Sequence, residues 1–233
     1  MIYGVLDIET TGLDKRSHRM IEVGIRLIQD RKIMSEHFHE YVNPQRAVDP
    51  GAFSVHGISD QFLKDKPTFD KISGELKAFI LRCDAIVIHN AAFDQPFLKM
   101  EFARIDGEVQ WLDDIEIIDS LVMARKTYPG QRNNLDALCD RLSVSHQGRE
   151  YHGALKDADI LAEVYLALTR NQYELGLQGR SDHQPQEELA LLRGFDYSYP
   201  LAEEAFLGHA TWLSAHPNHQ FQEESKANES PIE

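Results

Sequence analysis

The sequence predicts an α/β fold in which a mixed five-stranded sheet carries flanking helices. Three apolar segments come first and are joined by short polar connections, which indicates an antiparallel meander. Two further apolar segments then alternate with helical patterns, which is typical of strands with helices packed against the sheet. The chain has 233 residues, 42% of them hydrophobic. It is therefore long enough for one compact domain and an extension.

Five segments have the length and the apolar character of strands. The first covers residues 2–6 and runs directly into Asp7 and Glu9, and a turn signal follows at Gly12. We therefore expect a buried strand that carries two carboxylates at its C-terminal end. The other four predicted strands are residues 20–28, 33–42, 85–88 and 115–118.

Four segments have the spacing of apolar residues that a helix requires. Residues 154–168 give the clearest pattern, because this segment is rich in Ala and contains neither Gly nor Pro. Residues 43–59, by contrast, are predicted to form a loop. The other three predicted helices are residues 69–81, 91–104 and 135–142.

The character of the chain changes after about residue 177. Residues 178–233 carry 3 basic and 10 acidic side chains, which is half of the net charge of −14. Such a composition is typical of a flexible segment, although residues 201–215 have the pattern of an amphipathic helix. We therefore expect a folded domain over residues 1–177 and an acidic, partly disordered tail over residues 178–233.

The acidic balance restricts how this protein can hold nucleic acid. A net charge of −14 argues against a broad basic surface. It does not exclude a nuclease whose acidic site is neutralised by metal ions. Such an enzyme would bind DNA weakly alone and would gain from being tethered to a partner.

Two further features favour a cytoplasmic protein without a membrane segment. No apolar run reaches 18 residues, and the N-terminus lacks the basic and cleavage regions of a signal peptide. The two cysteines, Cys83 and Cys139, fit neither a disulfide framework nor a CxxC metal site. We expect two reduced thiols.

The pair Asp7 and Glu9 is the first candidate for chemistry. The two residues are two apart on a strand, so their side chains point to the same face of the sheet. Acidic pairs at strand ends are usually solvated, but here an apolar run that should be buried ends in two carboxylates. Buried like charges are unfavourable without a cation between them.

Two later segments add further carboxylates and a histidine. Asp94 would lie in the first turn of a helix, where the alternative role is an interaction with the helix dipole. His152 and Asp157 are five residues apart, so at about 100° per residue a regular helix would place them on different faces. They can converge only if His152 lies in a loop and the helix begins near Gly153.

The order of these motifs resembles the DEDDh exonucleases, a family named for four carboxylates and a histidine. Over roughly residues 3–170 the chain resembles the proofreading epsilon subunits of bacterial DNA polymerase III. The segments that carry this resemblance are LDIETTGL, VDPGAFSVHGIS, DKPTF, VIHNAAFD, IDSLVMARKTYPGQRN, LDALCDRL and HGALKDADILAEVYLALT. The resemblance implies an RNase H-like fold and a DNA exonuclease that removes mispaired 3′-terminal nucleotides as 5′-dNMPs.

The resemblance also implies a metal site. Two divalent ions about 3.5–4 Å apart can activate water and stabilise the leaving oxygen of a phosphodiester, and Mg²⁺ or Mn²⁺ prefers carboxylate ligands. Asp7 would bridge both ions, Glu9 and Asp157 would complete one site, and Asp94 would act through water. His152 would be the general base, a role for which a pKa near 7 is suited. His89 is the alternative candidate for the general base, although a lone histidine at a strand end is more often structural.

The resemblance further implies contacts to the 3′-terminal nucleotide besides those of the catalytic carboxylates. Thr10 and Thr11 would offer backbone N–H groups, Leu13 would wedge against the base, and His56 would lie near the 3′ end. We expect Phe53 and Phe93 to belong to the core instead.

The sequence departs from some relatives at one position and leaves one cluster ambiguous. Gly51 stands where some relatives have a glutamate that contacts the nucleotide, so that contact is in doubt. Arg125, Lys126 and Arg132 form a dense basic cluster. It is either a solvated helix end or a surface that guides the DNA backbone.

Partner contacts are expected beyond the catalytic residues. The hexamer at residues 172–177 resembles a motif that binds the sliding clamp, and the alternative is a frayed helix end. Residues 203–213 resemble the segment that docks on the polymerase (alpha) subunit, and the alternative is packing on the chain's own domain. A small core subunit, theta or an equivalent, is a further partner. The contact residues predicted for clamp and polymerase are Gln172, Leu175, Leu177, Phe206, Trp212 and Leu213.

Two other functions remain open from the sequence. A stand-alone DEDDh exonuclease would act on RNA ends or repair intermediates, whereas a scaffold subunit would have lost its catalytic residues. The clamp-like hexamer and the docking segment favour a polymerase subunit over a stand-alone exonuclease. The presence of all four carboxylates and the histidine argues against a scaffold subunit.

Overall fold

The computed structural model describes residues 1–105, 107, 109–147 and 151–170. Within them a five-stranded sheet has the order β3-β2-β1-β4-β5. β1, β2 and β3 form an antiparallel meander, whereas β4 runs parallel to β1, and β5 runs parallel to β4. The predicted sheet is confirmed. Its strands are β1 (Ile2–Thr10), β2 (Met20–Gln29), β3 (Lys32–Tyr41), β4 (Ala85–Ile88) and β5 (Glu116–Asp119).

Among the described residues the four predicted helices are confirmed, and three more α-helices are present, together with a 3-10 helix at Gln110–Leu112. The α-helices are α1 (Pro50–His56), α2 (Asp60–Leu63), α3 (Phe69–Ile80), α4 (Ala91–Ala103), α5 (Ser120–Thr127), α6 (Leu135–Leu142) and α7 (Ala154–Leu168).

The prediction of a loop over residues 43–59 was wrong, because α1 lies inside it. This helix has only seven residues and buries only His56, so it shows no apolar periodicity. Its bounds are nevertheless marked in the sequence. Pro50 occupies the first turn, and Gly57 ends the helix with φ 69°, a left-handed conformation that glycine adopts without strain.

An apolar layer covers each face of the sheet. Leu6 and Ile8 pack on one face with α3 and α4, whereas Val5 packs on the other face with α6 and α7. Because side chains alternate along a strand, Asp7 and Glu9 share the face of Val5. The sheet therefore presents both carboxylates on the face that α7 covers.

A close approach of α7 to the sheet depends on one glycine. Gly24 in β2 lies beside Asp7 in the strand register. A Cβ atom at Gly24 would lie 2.3 Å from the backbone nitrogen of Leu155, at the start of α7. Only a residue without a side chain permits this contact.

Several other expectations can be compared with the structure. None of the described helices is long and apolar enough to cross a membrane. Both cysteines are free, as predicted, and burial raises the pKa of the Cys83 thiol to about 11. The hexamer at 172–177, the helix at 201–215 and the tail at 178–233 lie outside the described residues.

Candidate active site

The five predicted catalytic residues line one cleft of about 330 Å³. Asp7 and Glu9 come from β1, Asp94 from the first turn of α4, and Asp157 from the first turn of α7. His152 precedes α7. The fold thus brings together side chains from three separate parts of the sequence.

The carboxylates differ in burial. Asp94 and Asp157 are buried, with 4% and 3% of their surface exposed, whereas Asp7 and Glu9 are only partly buried. The expectation of a buried Asp7–Glu9 pair was therefore wrong. β1 continues to Thr10, and both side chains face the open cleft instead of the apolar layer.

His152 and Asp157 meet because the chain is not yet helical at His152. The helix α7 is capped by Gly153, and the Asp157 N–H donates to the Gly153 carbonyl at 2.8 Å. The His152 N–H donates to the carbonyl of Val55 at 3.1 Å. These contacts place His152 Nδ1 3.0 Å from Asp157 Oδ2, with 46% of the His152 side chain exposed. The predicted break at Gly153 is confirmed.

The donor set of the cleft fits a divalent cation. Among the described residues, Glu9, His152 and Asp157 offer ligand atoms that all lie within 4.8 Å of one another. Asp7 and Asp94 line the same cleft outside that trio. Burial, and to a smaller extent the nearby Asp119 carboxylate, raise the pKa of Asp94 to about 7, although hydrogen bonds from the backbone of Asp94 and Ile8 oppose the shift. A bound cation would favour its ionised form.

His89 is held by a neighbouring helix. The buried Ser120 hydroxyl, at the start of α5, donates to the Ile88 carbonyl at 3.2 Å. That hydroxyl has one proton, so His89 Nδ1, which lies 2.9 Å from Ser120 Oγ, acts as the donor to it. His89 also lines the cleft. The contact with Ser120 supports a structural role for the imidazole.

Asp119 is a structural residue of the site that sequence reasoning missed. Its carboxylate accepts hydrogen bonds from Leu121 N at 2.9 Å and from Ala91 N at 3.1 Å. One side chain therefore caps α5 and also joins it to the start of α4. An Asp immediately before a short apolar helical segment is a capping signal and could have been recognised.

Glu22 is a second residue that the sequence interpretation missed. This β2 side chain is 2% exposed and lies beside Glu9 in the strand register. Its Oε1 lies 2.7 Å from Nε2 of His39, and a Cβ atom at Gly153 would lie 3.9 Å from both of its carboxylate oxygens. A buried carboxylate therefore lies next to the N-terminus of α7, where the helix dipole favours negative charge.

An apolar depression of about 570 Å³ adjoins the cleft and shares Glu9 and Phe93 with it. Leu13 stands at its edge with 85% of its surface exposed. His56 is buried, and its Nδ1 accepts a hydrogen bond from Ile58 N at 3.0 Å. Burial lowers the pKa of His56, so the ring is neutral with its proton on Nε2. The other lining residues are Thr10, Gly12, Asp49, Pro50, Gly51, Ala52 and Val55.

Two predictions about this region were wrong. The Thr11 N–H already donates to the Arg19 carbonyl at 2.8 Å, and Thr11 is completely buried, so it cannot offer this group to a nucleotide. Phe53 is 46% exposed instead of part of the core, because it lies on the outer face of α1. Phe93 is partly buried against the core and also lines the depression.

Comparison with known proteins identifies relatives that cover most of this chain. The sequence profile of the exonuclease family matches residues 5–165. DNA polymerase III subunit epsilon of Escherichia coli (strain K12) is 43% identical over 195 residues, which cover 81% of this chain and 80% of that protein. The subunit of the same name from Rickettsia typhi is 48% identical over 167 residues, which cover 71% of this chain and 72% of that protein.

Solved structures share the fold. Exonuclease X in complex with 5′ overhanging duplex DNA superposes with a TM-score of 0.60 at 24% identity, over 73% of this chain and 93% of that one. E. coli exonuclease I in complex with a dT13 oligonucleotide superposes with a TM-score of 0.63 at 18% identity, over 75% of this chain and 42% of that one. These likenesses confirm the predicted fold class. The family profile and the sequence relatives show that this chain belongs to the exonuclease family, among the epsilon subunits of bacterial DNA polymerase III.

Proposed function

We propose that this chain is a metal-dependent 3′→5′ exonuclease that removes the terminal nucleotide of a DNA strand as a 5′-monophosphate. The observation that supports this most directly is the cleft in which four carboxylates and one imidazole meet. An apolar depression adjoins it, and its size lies within the range of sites for small molecules. Proofreading within the DNA polymerase III core is the role that the names of the relatives suggest.

Asp7, Glu9, Asp94 and Asp157 would hold two divalent cations, Mg²⁺ or Mn²⁺, because hard cations prefer carboxylate oxygens. When bound, such ions activate water as a nucleophile and stabilise charge on the leaving 3′-oxygen. The chain itself holds these carboxylates together at the end of a sheet. Asp94 supports the proposal especially, since burial raises its pKa to about 7 and a bound cation would make this carboxyl fully ionised at neutral pH.

His152 would take the proton from the attacking water. Its ring is half exposed at the cleft, and the contact of Nδ1 with Asp157 fixes its orientation. A histidine is suited to this role because its ordinary pKa is close to neutral. The short distances within the trio of Glu9, His152 and Asp157 also allow a direct metal contact. Metal binding by a His152 variant distinguishes these two roles.

The apolar depression would receive the 3′-terminal nucleoside. Leu13 would pack against the base, while Thr10 and His56, which line the same depression, would lie near the sugar. Apolar walls contact any of the four bases without reading their hydrogen-bonding edges. Such a site would accept every terminal nucleotide, which a proofreading enzyme requires.

The acidic chain would depend on its partners to reach DNA ends. Residues 201–215, with Phe206, Trp212 and Leu213, would dock on the polymerase subunit in the cytoplasm, while the hexamer at 172–177 would contact the clamp. Theta or an equivalent would complete the core. A connection between the catalytic domain and a partner on DNA would raise the local concentration of DNA ends, often to the millimolar range for short linkers.

The activity is tested with a single-stranded DNA oligonucleotide that is labelled at its 5′ end. With Mn²⁺, we expect stepwise shortening from the 3′ end and release of 5′-dNMPs, and with EDTA no shortening. The variant Asp114→Asn, which removes an exposed carboxylate outside the cleft, is the control and should behave as wild type. Faster degradation of an RNA of the same sequence would instead favour the stand-alone RNA exonuclease.

The docking role is tested by a truncation after Leu177 and by Trp212→Ala. Both variants should hydrolyse free single-stranded DNA, because every proposed catalytic residue precedes residue 177. Both should lose the polymerase subunit in a pull-down, since buried aromatic residues dominate small interfaces. Retention of the polymerase by the truncated chain would refute this role.

A further inference from the structure

Three depressions lie next to one another on the described part of the surface. The central cleft shares Glu9 and Phe93 with the apolar depression. On its other side it shares His89, Asn90 and Asn134 with a third depression of about 330 Å³. A DNA strand whose scissile phosphate occupied the central cleft would therefore have a depression on either side of that phosphate.

The third depression differs chemically from the apolar one. Apart from Leu121, every residue that lines it has a polar side chain, and Arg125 contributes a positive charge. The apolar depression, by contrast, is walled by Leu13, Ala52 and Val55. A nucleoside base is matched by the apolar walls, whereas a sugar–phosphate backbone is matched by amides and a guanidinium.

Arg125 is suited to an anion because its charge is not already neutralised. Arg19, Arg26 and Arg82 each bind a carboxylate. Within the described ranges, the exposed Arg125 guanidinium has no such partner. In a chain with a net charge of −14, an unpaired cation beside an acid-lined cleft is notable.

The position of Arg125 is fixed relative to the cleft. Arg125 lies in the last turn of α5, and the first turn of this helix is capped by Asp119. The same carboxylate accepts the Ala91 N–H at the start of α4, which carries Asp94. The helix with the guanidinium and the helix with a catalytic carboxylate are thus joined by one side chain.

We propose that the third depression is the subsite for the DNA backbone immediately upstream of the scissile bond, with Arg125 as its phosphate contact. This inference rests on the proposed exonuclease function. It also assigns the direction of the strand: the 3′-terminal nucleoside occupies the apolar depression, and the remaining strand leaves past His89 and Asn134 toward Arg125.

Arg125→Gln tests the subsite, and Lys126→Gln is the matched control. Both variants remove one positive charge from the same exposed part of α5, but Lys126 does not line the depression. Each is assayed on a DNA oligonucleotide and on the p-nitrophenyl ester of thymidine 5′-monophosphate. In this ester the nitrophenolate replaces the upstream nucleoside, so no upstream phosphate is present.

We expect Arg125→Gln to raise KM for the oligonucleotide about 5- to 10-fold relative to KM for the ester, as for one charge-assisted contact to an exposed phosphate. The slope of log KM against log salt should fall by about 0.7, the value for one phosphate contact on a single strand. Lys126→Gln should change the KM ratio and the slope much less.

Three results would overturn the inference. The first is an unchanged KM ratio in Arg125→Gln, and the second is an equal effect of Lys126→Gln, which would indicate only a general charge effect. The third is hydrolysis of neither substrate by the wild-type protein, which would remove the proposed function as well. Normal hydrolysis of the ester with no effect of Arg125→Gln would remove only this subsite.

Discussion

The two walls of the cleft are built in different ways. Asp7 and Glu9 lie on β1, which pairs with β2 in a regular antiparallel register from Ile2 to Glu9, and the register shifts between Glu9 and Thr10. His152 and Asp157 lie on the segment that leads into α7, which is positioned by the Val55 carbonyl and by close packing on Gly24. The strand wall is held by the backbone hydrogen bonds of the sheet, whereas the other wall is held by the packing of α7 on the sheet and by the contact of the His152 N–H with the Val55 carbonyl.

This difference indicates how substitutions in each wall should affect the site. A substitution on the strand wall should change the chemistry of one group while the backbone stays in place. A substitution beneath α7 should move two catalytic residues together, even when it touches neither. The following predictions separate these cases, from the largest expected effect to the smallest.

Asp7→Asn should have the largest effect, because it changes a metal ligand on the rigid wall without a change in size. Mutation of residues that only hydrogen-bond to metal ligands already lowers metal affinity or activity about 10- to 100-fold. Loss of a ligand itself should therefore lower kcat by more than about 100-fold. The melting temperature in EDTA should not fall, because one of several clustered negative charges is removed. Both quantities are measured on the same preparation, and unfolding of the variant would contradict this view of the strand wall.

His152→Ala should lower kcat by about 10²- to 10⁴-fold, as expected for loss of a general base, with a smaller change in KM. The wild-type rate should fall at acidic pH as the base becomes protonated, and the variant should lack this limb. The pH–rate profile is the measurement. His89→Ala is the comparison, and a larger kcat defect in that variant would reverse the two roles.

Gly24→Ala should disturb the wall formed by α7 from a distance. The new Cβ would lie 2.3 Å from Leu155 N and 2.5 Å from the Ala154 carbonyl carbon, and neither backbone atom can yield without moving the helix start. We expect a loss of about 1–3 kcal/mol in the free energy of unfolding, the usual range for overpacking, and a lower kcat. Denaturant unfolding and kinetics measure the two effects.

The matched control is Gly74→Ala, in α3, where no atom lies within 4 Å of the new Cβ. This substitution in a helix should stabilise the protein by about 0.5–1 kcal/mol and leave kcat unchanged. If Gly24→Ala behaved in the same way, the start of α7 would not be held by its contact with β2.

Asp94→Asn tests the raised pKa of Asp94 through stability, and the size of its effect depends on pH. Burial raises the pKa of Asp94 from 3.8 to about 7, so between these values the unfolded state is ionised while the folded state keeps its proton. Wild-type stability in EDTA therefore falls as pH rises through this window. The melting temperature of the variant, relative to wild type, should rise from pH 4 to pH 7 and then level off. A constant difference would contradict the raised pKa.

The sequence predicted most of the sheet and the meeting of the catalytic groups. The break at Gly153 followed from the spacing of His152 and Asp157, because two residues that are five positions apart do not lie on the same face of a helix. Local patterns carry such information even without a structure. The bounds of β4, α6 and α7 were also predicted from the local composition and pattern of the sequence.

The sequence could not reveal contacts whose partners are distant along the chain. Glu22 has the pattern of a solvated strand residue, and its burial depends on His39 from β3 and on Gly153. The Thr11 amide was misjudged because its acceptor, the Arg19 carbonyl, follows an irregular turn. Helix α1 was missed because it buries only one residue and so lacks periodicity.

Mn²⁺ binding tests the central claim, that carboxylates hold the metal while His152 serves as the base. Free Mn²⁺ is measured by electron paramagnetic resonance during titration of the wild type, Asp7→Asn and His152→Ala. We predict that Asp7→Asn loses binding, whereas His152→Ala retains it with an affinity reduced by no more than the 10- to 100-fold or so typical of outer-shell partners. Loss of binding in His152→Ala, or wild-type affinity in Asp7→Asn, would contradict this division of roles.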